Sequence, residues 1–110
     1  MKRILLLTVA ICASASAVAD YKTELRKKRP DFYGYSYKIN SNGRIIENSV
    51  CSEYSGPDWK GCRRYAQWEF AVKCWERGYD LRHATGDVRR RIQKERDFFC
   101  DAKRRVTPLG

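Results

Sequence analysis

Hydrophobic and polar positions follow three successive rhythms along the chain. The first is an apolar stretch over residues 4–13, interrupted only by Thr8, preceded by Lys2 and Arg3 and followed by the small, weakly polar Ser14, Ala15, Ser16 and Ala17. A charged start, a short apolar centre and a small-residue end follow one another in a secretory signal peptide. Ala17 and Ala19 supply the small side chains that a signal peptidase accepts, which predicts cleavage after Ala19 and a mature chain beginning at Asp20. The run falls short of the ~20 apolar residues needed to cross a bilayer, so an uncleaved anchor is the weaker reading. Residues 20–31 are then polar and basic, with Arg26, Lys27, Lys28 and Arg29 ahead of Pro30, and read as a mobile lead-in.

The second rhythm is alternation. Tyr33, Tyr35, Tyr37 and Ile39 fall on one side of an extended chain and Gly34, Ser36 and Lys38 on the other. The turn-forming Asn40, Ser41, Asn42 and Gly43 follow, and Ile45 and Ile46 resume a strand-like pattern up to Val50. Period-two alternation on both sides of a turn predicts a β-hairpin. Two strands alone are marginal in water, so the aromatic face must be covered. Packing of the tyrosines against a helix explains the row more simply than a stacking platform for sugars or bases.

The third rhythm is helical. Ser55, Gly56, Pro57 and Asp58 make a start signal, with proline at a first helical position and an acid in the first turn. The predicted helix runs to Arg77 and stops at Gly78. Trp59, Cys62, Ala66, Phe70 and Cys74 form one apolar arc; Tyr65, Trp68, Val72, Trp75 and Tyr79 form a second. A helix apolar on two sides is normally covered on two sides, which makes it the central element. A second helix starts at Thr85, carries Val88, Ile92, Phe99, Ala102 and Val106 on one stripe, and ends near Val106, ahead of Thr107 and Pro108. The short connection over 78–84 makes the two helices antiparallel neighbours. The expected fold is therefore mostly α with a small β-hairpin (α+β): an antiparallel two-helix hairpin packed on a two-stranded hairpin, all in one domain over residues 32–110.

Removing 19 residues from 110 leaves 91, enough for one small domain, and a chain of this size commonly needs an added constraint. Cysteine supplies it: Cys51, Cys62, Cys74 and Cys100 remain after export, an even number as expected for structural disulfides. Residues equidistant from a helical turn face each other, which pairs Cys62 with Cys100 and leaves Cys51 for Cys74. Cys51 with Cys62 and Cys74 with Cys100 is the alternative.

Charge bears on partners. Cleavage removes Lys2 and Arg3 but no acid, so the net charge of +10 falls to +8. The second helix is the most basic element, and Arg89, Arg90, Lys94, Arg104 and Arg105 are its candidate anion-binding residues. Asp87, Glu95, Asp97 and Asp101 partly neutralise it. An anionic partner follows, either an acidic protein or an envelope polyanion. Nucleic acid would satisfy the same charge, but no motif indicates it.

Catalytic patterns are missing from the sequence. His83 is the sole histidine, and there is no C-x-x-C, G-x-S-x-G, H-E-x-x-H or glycine-rich phosphate loop. No metal, cofactor or catalytic residue is expected, and helix-surface pairing explains Glu69 and Glu76 better than a carboxylate pair does. The expected function is an exported basic interaction module of the periplasm or extracellular space. A secreted effector, inhibitor or antimicrobial-type protein is the alternative, marked by an exposed aromatic patch beside basic residues. A small enzyme is the weaker third reading.

Overall fold

The computed structural model describes residues 24–108. The signal segment 1–19 and its cleavage site lie outside them, as do residues 20–23 of the lead-in. Two long helices dominate: α1, Gly56–Leu81, and α2, Gly86–Arg105. Ser55 and Thr85 are the N-caps, each through its backbone carbonyl, which accepts the first helical N–H from Trp59 and Arg89 respectively. No described helix is long and apolar enough to cross a membrane.

α1 is the central element. One side meets α2 through Phe70 stacked on Phe99, Arg77 paired with Glu95 at 2.7 Å, and the Gln67 side chain donating to the Lys103 carbonyl at 3.2 Å. The other side carries an extended tyrosine ribbon over residues 32–39. Phe70 is fully buried in a core with Ile45, Val50, Cys51, Cys62, Ala66, Ala102 and Val106, flanked by Tyr33, Tyr35, Tyr37 and Phe98. Trp68, on the second apolar arc that was expected to be covered, is only partly buried. Its indole N–H donates to the Leu25 carbonyl at 2.6 Å, and Arg29 lies over its ring, so residues 24–29 rest on α1.

The expected β-hairpin is not present: the described residues contain no β-strand. Only Ile39 and Ile45 form an isolated antiparallel bridge, around a turn in which Gly43 takes a positive φ of 77°. Alternation of the tyrosines has another cause. Tyr33, Tyr35 and Tyr37 face the helix, whereas Ile39, expected on the same side, is 55% exposed, and the backbone of the ribbon pairs with no neighbouring strand. Lys38 N–H donates instead to the Ser49 hydroxyl, and the chain after Ile46 tightens into a 3₁₀ turn, Glu47–Ser49, where the second strand was expected. Close approach replaces sheet pairing: a Cβ on Gly61 of α1 would come within 2.9 Å of the Tyr33 ring.

The disulfides join Cys51 to Cys62 and Cys74 to Cys100, not Cys62 to Cys100 and Cys51 to Cys74. Two features of the fold account for the difference. Cys51 adopts the left-handed backbone region, φ 64°, which turns the chain sharply into α1 beside Cys62. α1 also continues through Gly78 to Leu81, past the predicted stop. The register in which α1 meets α2 sets Arg77 against Glu95 and Gln67 against Lys103, and it brings Cys100 opposite Cys74.

Candidate functional site

The outer face of α2 repeats charge at helical spacing: Asp87, Arg90, Arg91, Lys94, Asp97, Asp101 and Arg104 fall on one strip. The Asn40–Arg44 turn rises beside its C-terminal half. Between them lies an open hollow of about 600 Å³, where Arg44 from the turn joins Lys94 and Arg104 from α2. Phe98 and Cys100 line the same hollow, as do Asp97 and Asp101. A second hollow over Arg90, Arg91 and Lys94 shares Lys94 and Asp97 with the first, so the two form one furrow along the helix.

The five sequence-predicted cations therefore divide. Arg90, Lys94 and Arg104 line the furrow. Arg89 is drawn away: its guanidinium donates to the Leu81 carbonyl at 3.1 Å and satisfies an open carbonyl at the C-terminus of α1. Arg105 pairs with Asp101 at 3.0 Å and lines neither hollow. Within the furrow, Arg90 meets Asp87 one turn back, and Arg104 meets Asp101 at 3.5 Å. Exposed pairs of this kind are loose enough to be exchanged for an external anion. Arg91 and Lys94 have no ion-pair partner among the described residues. Arg44 went unnoticed in the sequence because a lone cation after Asn42 and Gly43 resembles any solvated turn residue.

Arg63 also escaped the sequence reading. Its side chain is 1% exposed. It donates to the Thr107 carbonyl at 2.7 Å, to the Glu47 carbonyl at 3.0 Å and to the Glu47 carboxylate at 3.0 Å, beneath the Trp59 ring at 4.8 Å. This cation ties the 3₁₀ turn, α1 and the C-terminal tail together, and it is spent on the fold.

A third polar cluster lies under the tyrosine ribbon. Glu69 accepts hydrogen bonds from the hydroxyls of Tyr35 and Tyr65, with Lys73 at 4.0 Å. Burial, then the Glu69 carboxylate, raises the pKa of Tyr35 far above the ordinary tyrosine value, and the same causes raise Tyr37 and Tyr65. Both Glu69 oxygens are thus engaged by donors of the same chain, and Glu76 takes no part. His83 lies in the interhelical turn with its ring 5.2 Å from that of Tyr79. Among the described residues no cluster of three histidine, cysteine or acidic side chains is placed to hold a metal ion.

Comparison of the chain with protein-family models, with curated proteins and with solved structures found no match.

Proposed function

We propose that the chain is an exported, disulfide-stapled interaction module whose furrow along α2 engages an anionic partner, an acidic protein or an anionic envelope component. The carrying observation is convergence: Arg44, remote in sequence, joins Lys94 and Arg104 around one open hollow. The backbones that carry these cations are fixed by the fold, so an anion has only their side chains to order, which lowers the cost of association. The acids at Asp97 and Asp101 favour a partner with a few well-placed negative groups over an unpatterned polyanion.

Capture from an envelope extract by the mature, oxidised protein tests the reading. Replacing Arg44, Lys94 and Arg104 together by glutamine is expected to abolish a capture that weakens with salt, while melting stays nearly unchanged. Equal capture by wild type and variant would remove the furrow from the interface.

One observation favours a second reading, a secreted effector, inhibitor or antimicrobial-type protein. Phe32 is 69% exposed and packs edge-on against Tyr65, close to Trp68 and its overlying Arg29. An exposed aromatic beside a basic segment suits insertion into an anionic surface. Loss of activity in Phe32→Ser, with the furrow intact, would favour it.

A further inference from the structure

We propose that Cys74–Cys100 is a thiol-exchange site of the native protein, opened by a dithiol reductant, while Cys51–Cys62 stays closed. The inference is independent of which partner the furrow binds. It rests on the unlike surroundings of the two bridges.

Cys51 and Cys62 are each 0% exposed, packed among Val50, Ala66 and Val106 in the core. Exchange requires an attacking thiolate to reach a sulfur, and no such access exists there. Cys74 and Cys100 are both partly exposed, and Cys100 lines the open hollow with Arg44, Lys94 and Arg104. The two acids of the hollow are partnered: Asp101 meets Arg104 and Arg105, and Asp97 meets Arg96 at 2.9 Å. The surrounding cations draw an anionic attacking thiolate toward Sγ of Cys100.

The exchange runs in two displacements. A thiolate of the reductant attacks Sγ of Cys100 and forms a mixed disulfide there. The Cys74–Cys100 bond breaks, and its electron pair leaves on Sγ of Cys74, which takes a proton from water. The second thiol of the reductant, deprotonated, then displaces Sγ of Cys100. The protein is left with two thiols and the reductant with its own disulfide. The helical hairpin outlasts the bridge, because Phe70 on Phe99, Arg77 on Glu95 and Gln67 on Lys103 join α1 to α2 without it.

Timed reduction of the mature, oxidised protein with dithiothreitol, quenched with iodoacetamide and followed by peptide mapping, tests the proposal. Cys74 and Cys100 should acquire label at least about tenfold faster than Cys51 and Cys62, at a rate insensitive to low urea, since no unfolding precedes attack. With 2-mercaptoethanol the trapped mixed disulfide should sit on Cys100. Labelling of all four cysteines at one rate, earlier labelling of Cys51 and Cys62, or an adduct on Cys74 overturns it. A rate of opening that climbs with urea also overturns it, because the reaction would then belong to the unfolded chain.

Discussion

The base and the tip of the helical hairpin are built on different principles. At the base, the start of α1, the end of α2 and the 3₁₀ turn converge on Val50, Cys51, Cys62, Arg63 and Val106, none of them more than 1% exposed. A disulfide, a buried cation with three acceptors and close-packed side chains hold the same few residues. At the tip, Tyr79 is 43% and Val88 49% exposed, and residues 86–91 of α2 are all exposed. What holds this end is one buried side chain, Leu81, the stacking of Tyr79 on Trp75, and single contacts such as Arg89 on the Leu81 carbonyl. Side chains at the base are used up in folding, whereas Arg91 and Lys94 on the outer face of α2 have no ion-pair partner among the described residues, and the pairs around them are exposed.

Arg63 gives the sharpest way to break this contrast. Arg63→Ala should cost about 3 kcal/mol, because it strands the Thr107 and Glu47 carbonyls and leaves a void in the core; the Glu47 carboxylate, partly in water, adds less. Urea unfolding measures the loss. A change below about 1 kcal/mol would mean that the guanidinium contributes shape and not bonding. A middling effect is expected for Gly61→Ala, whose new Cβ would meet the Tyr33 ring at 2.9 Å. Overpacking of this kind costs about 1 to 3 kcal/mol, and in a Tyr33→Ala background the penalty should largely vanish. A penalty that persists without the ring would place the conflict within α1 itself. The smallest effects belong to the tip: Tyr79→Ala, which removes a ring stacked on Trp75, should cost about 1 kcal/mol, and Val88→Ala about 0.5 kcal/mol or less. A cooperative loss of melting in either would show that the tip belongs to the same cooperative unit as the base.

Legibility followed the range of the interactions. The starts of both helices were readable from local signals, Pro57 and Asp58 in the first turn of α1 and Asp87 in that of α2, although neither Ser55 nor Thr85 makes a side-chain cap bond. The end of α2 was readable for the same reason, since Pro108 lies just beyond Val106. Gly78 misled: glycine in mid-helix costs only about 1 kcal/mol, which tertiary contact outweighs, and α1 runs on to Leu81. Tyr33, Tyr35 and Tyr37 misled differently. Alternation reports that every second side chain is covered, and a helix beneath an extended segment leaves the same pattern as a sheet. In the candidate site, Arg90, Lys94 and Arg104 were found from their spacing on one helix. Arg44 was not, since its place beside them depends on where the turn folds back.

By itself, then, the sequence determined two antiparallel helices, four cysteines spread over residues 51–100, an aromatic segment needing cover and a surplus of cations. Each of these follows from composition or from contacts within a few residues. Tertiary structure decided which cysteines meet, because pairing depends on the helix register, and the register is set by long-range contacts such as Phe70 on Phe99 and Arg77 on Glu95. It also decided the fates of the neighbours Arg63 and Arg64, one 1% exposed and the other in water. Identical side chains one position apart point about 100° apart around a helix, and only the packing around α1 settles which of the two is enclosed.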